Sequence, residues 1–199
     1  GFKDGRWEQF RTFMIFVSRY PLNDYGMTYR KFAPGYETYS KIGIYQRNIH
    51  NFDETPILEG TLLPGQCMGC HTANATDPEQ FLFHLRGKHG ATVVQQQGKR
   101  KWLETKTEKT IGRTAYSYWH PSGEYIAHSN NIIHQLFWTG NNERYIEVYD
   151  EASDVIVHNV KTDEFLLNPL LRTEDFETYP VFSSDGKTLY FCSAPKVQV

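Results

Sequence analysis

The sequence predicts an all-β fold made of repeated antiparallel units, and three observations support this prediction. Aromatic residues make up 15% of the 199 residues, and most are Tyr or Phe, which favour strands. Short strand-like runs alternate with turns rich in Gly, Pro, Ser and Asp along most of the chain. A hairpin pattern also recurs in the second half. A chain of this length suits one domain or part of a larger one.

The clearest repeat is a hairpin in which two strands flank a turn that contains glycine. Residues 115–129 align without gaps with residues 178–192. The turn glycines coincide in this alignment, and they supply the positive φ that a tight turn between strands requires. The aligned pairs are Trp119 with Phe182, Gly123 with Gly186, and Ile126 with Leu189.

A third and weaker copy lies upstream, where residues 80–85 match residues 124–129. This alignment places Phe81 on Tyr125 and His84 on His128, and the spacing of about 44 residues is close to the length of one propeller blade. Two more strand-like runs follow each of the two upstream copies, and four short strands per unit are typical of such a blade. The runs are residues 91–96 and 101–104 in one unit, and 154–160 and 164–167 in the other.

These units predict four segments in the chain. Residues 1–62 hold N-terminal strands and a candidate first blade, and residues 63–110 form a blade that carries a cysteine motif. Residues 111–170 form a second blade, with an insertion at 130–145 that we interpret as a surface loop, and residues 171–199 begin a truncated blade. A closed propeller needs at least four blades, so the count predicts a partial propeller that residues outside this chain complete.

The most specific motif is C-x-x-C-H, formed by Cys67, Cys70 and His71, which is the attachment signature of c-type haem. Two thiols at this spacing can each form a thioether to one vinyl group of a single haem. The imidazole that follows is then held under the iron. We therefore expect one covalent haem c, bound by Cys67 and Cys70 with His71 as the proximal ligand of the haem iron.

Other uses of the two thiols remain open. A Cys67–Cys70 disulfide would need no His71. A thioredoxin-like pair requires the motif to open a helix after a buried strand, whereas residues 63–66 have the composition of a turn. A zinc site needs four ligands, and the sequence has no second C-x-x-C, with Cys192 far away.

The distal ligand of the iron is less defined. His120 is one leading candidate because it occupies the turn of the next unit, and His84 is another because it is close in sequence to the motif. His84 and His128 also suit hydrogen-bonded core histidines. The further candidates are His50, His89, His128, His134, His158, Met14 and Met27.

The surroundings of the motif give two further expectations. Residues 72–77 should form an enlarged turn that carries the haem at the rim, where an exposed edge suits electron exchange. Asp77 and Pro78 have the character of a helix start, but the repeat favours a strand over residues 81–86.

Two turn sequences resemble the TolB-type β-propeller repeat, in which an aromatic residue precedes Ser-Pro-Asp-Gly and a strand. These are residues 119–123 and 182–186. Most of the chain is also similar to a family of exported Bacteroidetes proteins that combine such a propeller with a C-x-x-C-H motif. This resemblance implies a TolB-type propeller and an extracytoplasmic location. The residues that carry it are 35–37, 43–47, 67–71 and 83–87.

Composition limits the function further. The formal net charge is −2 without a block of Lys or Arg, which argues against nucleic-acid and membrane-surface binding. No run is long enough for a membrane span, and no signal segment is present in this chain. Haem is attached to C-x-x-C-H outside the cytoplasm in bacteria, so the motif predicts export to the periplasm or cell surface.

The leading hypothesis is a monohaem c-type cytochrome domain on a β-propeller, acting in electron transfer or redox sensing with a protein partner. The alternative is a non-catalytic protein- or glycan-binding TolB-like propeller in which Cys67 and Cys70 form a disulfide. A haem peroxidase is a third hypothesis, although such enzymes usually pair two haems and one motif is present. No catalytic residue is assigned.

Overall fold

The computed structural model describes residues 1–20, 26–32, 42–62, 67–75, 77–87, 89–138 and 145–196, without the side chains of residues 137, 138, 145 and 146. Within these ranges the chain forms antiparallel strands and two short 3₁₀ turns, Gly60–Leu62 and Pro169–Leu171, with no α-helix. The predicted all-β class is therefore confirmed. No helix in these ranges has the length and apolar character needed to cross a membrane.

The described strands form a short N-terminal hairpin and four larger sheets, each with its strands in chain order. The hairpin pairs β1 (Phe2–Lys3) with β2 (Arg6–Trp7). Sheet 1 contains β3 (Gly26–Lys31), β4 (Gly43–Asn48) and β5 (Glu54–Glu59). Sheet 2 contains β6 (Cys67–Asn74), β7 (Asp77–Arg86), β8 (Ala91–Gln96) and β9 (Lys99–Leu103). Sheet 3 contains β10 (Thr114–Trp119), β11 (Tyr125–Trp138), β12 (Tyr145–Asn159) and β13 (Glu164–Leu166). Sheet 4 pairs β14 (Phe176–Phe182) with β15 (Leu189–Ala194).

Sheet 2 is covered on both faces by its neighbours. Successive residues of a strand point to opposite faces, so Phe81 and Phe83 join a cluster with Ile44 of sheet 1, while Leu82 packs with Trp119 of sheet 3. Each side chain of this kind stabilises the fold by about 1.5–3 kcal/mol when fully buried. The first strands of successive sheets also touch, β3 against β6, β6 against β10, and β10 against β14. The described sheets do not close into a ring, so the propeller stays a prediction.

The first strands of sheets 2, 3 and 4 share a β-bulge. In each bulge two residues face a single residue of the partner strand, and the first of the two has a left-handed backbone, which is uncommon outside glycine. These left-handed residues are Cys70 (φ 51°), Tyr116 (φ 40°) and Tyr179 (φ 53°). The second cysteine of the C-x-x-C-H motif therefore occupies a position that is structurally equivalent in three sheets.

The bulges also test the predicted alignments. Trp119 pairs with Ile126 and Phe182 pairs with Leu189, which agrees with the predicted match between the last two hairpins. In sheet 2 Ala73 pairs with Phe81, so Phe81 is equivalent to Ile126 rather than to Tyr125. The predicted alignment of the third copy is therefore wrong by one residue, because a second irregularity between Ala73 and Asn74 changes the register before the turn.

Two further expectations are corrected and one is confirmed. Residues 72–74 continue strand β6 instead of opening an enlarged turn, so the motif lies within a strand. The described part of 130–145 extends β11 and β12 as a two-stranded ribbon and is not a loop. Residues 81–86 form a strand, as the repeat predicted. The turn predicted at 63–66 lies outside the described residues.

A chain of buried polar side chains, here called the polar seam, lies between sheets 2 and 3. His84 is hydrogen-bonded through Nδ1 to Thr92 Oγ1 at 2.8 Å and through Nε2 to Ser117 Oγ at 2.9 Å. Ser117 Oγ is also 2.6 Å from His128 Nδ1. Thr92 Oγ1 is also hydrogen-bonded to Thr114 Oγ1 at 2.9 Å. The Thr114 hydroxyl in turn donates to Thr105 Oγ1 at 3.1 Å. The His128 ring lies 5.9 Å from that of His158.

The three histidines of this region make the stability of the protein depend on pH. Burial lowers the pKa of His84 to about 3, and burial lowers the pKa of His128 and of His158 as well. The unfolded chain binds protons below about pH 6.5, whereas the folded chain resists them. The free energy of unfolding should therefore be highest above pH 6.5 and should fall as the pH decreases toward 3. The slope is up to about 1.4 kcal/mol per pH unit for each histidine.

Urea unfolding at several pH values would measure this slope. The matched variant is His128→Phe, because Phe83 and Phe191 occupy the equivalent positions opposite the bulges of sheets 2 and 4. This variant should show a shallower loss of stability between pH 6.5 and 4. An unchanged slope would contradict the assignment of His128 as one of the buried neutral groups.

A second prediction concerns the turn of sheet 4. Gly186 has φ +72°, and a Cβ there would overlap His120 Nε2, which donates to the Gly186 carbonyl at 3.0 Å. Gly98 has φ +71° but open space around it. Gly98→Ala should lose about 1 kcal/mol of stability because of the left-handed backbone alone. Gly186→Ala should lose about 1 kcal/mol more because His120 must move. Thermal or urea unfolding that gave equal losses would contradict the contact.

Candidate haem-attachment site

The C-x-x-C-H motif lies on β6, the first strand of sheet 2. Met68 is completely buried in the cluster between sheets 1 and 2, which fixes the strand against the core. Cys67 and Cys70 are both free thiols and are half-buried. His71 is half-buried as well. The motif therefore combines one anchored residue with three accessible donor groups.

Strand β3 of sheet 1 supports the motif from one side. His71 Nε2 is 3.2 Å from the carbonyl oxygen of Thr28 and donates to it. Arg30 Nη1 donates to the carbonyl oxygen of Met68 over a long 3.5 Å. Gly69 leaves room for this guanidinium, because a Cβ at position 69 would lie 2.6 Å from Arg30 Nη1.

The hydrogen bond of His71 determines its tautomer. Burial lowers the pKa of His71, with only partial compensation from the Thr28 carbonyl, so the ring is neutral near pH 7. Because Nε2 carries the proton that is donated to Thr28, the lone pair lies on Nδ1. A metal-binding histidine commonly donates its other ring N–H to a backbone carbonyl in this way.

Burial makes the thiol of Cys67 harder to ionise than the thiol of an exposed cysteine. Burial raises its pKa, while the positive charges of Arg30 and Arg86 partly oppose this effect. Arg86 is the residue directly paired with Cys67 across the β6–β7 ladder. Two free thiols and a neutral imidazole are the donors that covalent haem attachment requires, so the chemistry of the set fits haem c.

Sheet 3 supports the motif from the other side. Trp119 Nε1 donates to the carbonyl oxygen of Thr72 at 3.2 Å. Burial raises the pKa of Tyr116, and the neighbouring Tyr179 and Cys70 add to this effect. The rings of Tyr116 and Tyr179 are 4.7 Å apart. The bulge residues of the three sheets are therefore neighbours in space.

Sequence reasoning missed four of these residues. Tyr116 and Tyr179 coincide in the gap-free alignment of the two hairpins, and that coincidence was a usable signal. Thr28 and Arg30 left no signal in the sequence, because they lie about 40 residues before the motif and contact it from another sheet.

The predicted distal ligands lie in hydrogen-bonded positions. His84 is buried in the polar seam with both ring nitrogens bonded, to Thr92 and Ser117. His120 Nδ1 accepts from the Ser122 backbone N–H at 3.1 Å, and its Nε2 donates to Gly186. Neither ring presents a free lone pair to an iron ligated by His71. Within the described ranges, no group of three or more His, Cys, Asp or Glu side chains is arranged to hold a metal ion.

The remaining histidine and methionine candidates are spread over the molecule. Met14 lies in the exposed N-terminal segment and Met27 is exposed on β3. His134 pairs with Glu151 at 2.6 Å on the ribbon of β11 and β12. His158 is buried beside the polar seam. His50 and His89 lie in turns.

No protein-family model matches this chain. No curated protein matches it significantly either. The family resemblance of the sequence therefore stays a prediction, and residues 35–37, which carry part of it, lie outside the described residues.

The geometry predicts a difference in thiol reactivity. Cys192 is exposed on β15, whereas Cys67 is half-buried with a raised pKa. The thiolate is the reactive form, so iodoacetamide at pH 8 should modify Cys192 about tenfold faster than Cys67. Peptide mass spectrometry after timed quenching would measure both rates. The difference should disappear in 8 M urea, and equal rates in the native protein would contradict the placement of Cys67.

Proposed function

We propose that this chain is an extracytoplasmic c-type cytochrome domain that carries one haem and acts in electron transfer or redox sensing. The observation that carries the proposal is the presentation of Cys67, Cys70 and His71 on one strand, with both thiols free and the imidazole neutral and oriented by Thr28. The proposed location, in the periplasm or at the cell surface, follows from where haem is attached to this motif.

In this proposal the motif residues hold the haem and Thr28 orients the iron ligand. Cys67 and Cys70 hold the haem through thioethers, and His71 ligates the iron. The Thr28 carbonyl orients the imidazole by accepting a hydrogen bond from its Nε2–H, which increases the basicity of the ligand. When bound, haem supplies a one-electron couple.

The environment of the site suits electron exchange. All three donor residues are half-buried, so a group held by them remains near the surface. Arg30 places a positive charge against the same strand, within reach of both Cys67 and His71. A fixed positive charge near a bound haem would favour its reduced state, because reduction lowers the net charge at the metal.

A second candidate function, a protein- or glycan-binding propeller, is favoured by a cleft at the outer strands of sheets 2 and 3. This outer cleft has a volume of about 570 Å³ and presents a half-exposed Trp102 beside charged side chains, a combination common in binding sites. In that function Cys67 and Cys70 would form a disulfide. The lining of the outer cleft includes Lys101, Trp102, Leu103, His158, Asp163 and Phe165.

Expression in a periplasm equipped for haem attachment tests the proposal. We expect an intact mass raised by one haem and a c-type pyridine haemochrome spectrum. Cys67→Ala/Cys70→Ala should abolish both signals because the thioether donors are lost. Cys192→Ala is the matched control and should retain them, since Cys192 lies on sheet 4 away from the motif.

An apo mass in the same host, with two thiols or one disulfide at Cys67 and Cys70, would reject the cytochrome function. Glycan-array or partner binding that is lost in Trp102→Ala would then support the binding function. Turnover of peroxide by the haem-loaded protein would instead reassign it as a redox enzyme.

A further inference from the structure

Two buried ring nitrogens beside the polar seam have no hydrogen-bond partner among the residues that the structure describes. They are Nε2 of His128 and Nδ1 of His158. Neither side chain is more than 1% exposed, and the two rings are neighbours with centroids 5.9 Å apart. An unsatisfied polar atom in such a place costs about 1–3 kcal/mol and requires an explanation, such as a bound ion or water.

The opposite nitrogen of each ring is already held. His128 Nδ1 is 2.6 Å from Ser117 Oγ, and His158 Nε2 is 3.5 Å from Asp163 Oδ1. A hydroxyl or carboxylate on the second nitrogen is the usual support of a metal-binding imidazole. Asp163 is itself fixed by an ion pair with Lys101.

One arrangement of protons leaves lone pairs on both open nitrogens. In this arrangement the His158 proton is on Nε2, the nitrogen 3.5 Å from Asp163 Oδ1, and His128 donates its Nδ1–H to Ser117. Ser117 then donates to His84 Nε2, and His84 donates its Nδ1–H to Thr92. Burial keeps these imidazoles neutral. Each lone pair then lies in a buried place where a cation or a hydrogen-bond donor would stabilise it.

From this arrangement we infer that His128 and His158 form a two-coordinate site for a soft monovalent ion, copper(I). The ring separation of 5.9 Å leaves room for one ion held by two metal–nitrogen bonds of about 2 Å. Divalent ions need more ligands, and the described residues offer no cluster of three. A singly charged ion with two neutral ligands is also the least costly charge to place in a buried site.

The outer cleft borders this site. His158 lies on the wall of the cleft, and Asp163 and Phe165 lie beside it. The inference does not depend on haem, because the polar seam lies on the face of sheet 2 that is turned toward sheet 3.

The test uses the full chain with Cys67, Cys70 and Cys192 replaced by Ser, because thiols bind copper(I) strongly. Copper(I) is added anaerobically against a colorimetric chelator, and histidine side-chain nitrogens are followed by NMR. We expect one ion per chain, with shifts at His128 Nε2 and His158 Nδ1. His128→Phe and His158→Phe should each lower the affinity at least about a hundredfold, and Asp163→Asn about tenfold. His134→Gln is the control and should leave the affinity unchanged.

Two results would overturn the inference. One is copper(I) binding by His128→Phe and His158→Phe that is as strong as in the protein with both histidines, which would place the ion elsewhere. The other is the absence of any copper-dependent shift at the two nitrogens in protein whose circular dichroism shows a folded β structure, which would assign water as their partner.

Discussion

The structure depends on one sheet being buried on both faces. Residues 81–85 of β7 are all buried, although a strand points successive side chains to opposite sides. Five buried residues in a row therefore require a second sheet on each face, and sheets 1 and 3 supply them. This packing also fixes β6, the first strand of sheet 2, between two neighbours that contact it directly.

The position of β6 explains how an edge strand can carry an attachment motif. Its outer backbone groups would otherwise be free to pair with another chain. Instead, the carbonyls of Met68 and Thr72 accept hydrogen bonds from Arg30 and Trp119, and His71 is bonded to Thr28. The shared bulge keeps Cys70 out of the regular ladder, so the donor residues stay partly exposed on a strand that is fixed from both sides.

Much of the local structure followed from the sequence, because strand composition and turn glycines act over a few residues. The run 91–96 and the match between Gly123 and Gly186 are examples, and both agree with the structure. Register did not follow, because the bulges that set it leave no composition signal, and His84 was aligned one residue away from its true equivalent, Ser129. The support of the motif by Thr28 and Arg30 was also invisible, since it joins strands of different sheets. The described residues of 130–145 also differ from the predicted loop, because their strands continue β11 and β12 as a ribbon beyond the core.

The two faces of sheet 2 differ in a way that separates its candidate sites. The face toward sheet 1 is apolar, with Phe81 and Phe83, and the motif strand is supported from that side by β3. The face toward sheet 3 contains His84 and the polar seam. The repeat tolerates Phe at the position of His128, as Phe83 and Phe191 demonstrate, so an apolar core was available there. A histidine that leaves one buried nitrogen unsatisfied lowers stability relative to Phe, and a ligand that binds this nitrogen recovers the difference. In the β6–β7 ladder, Gly69 of the C-x-x-C-H motif pairs with His84 of the polar seam.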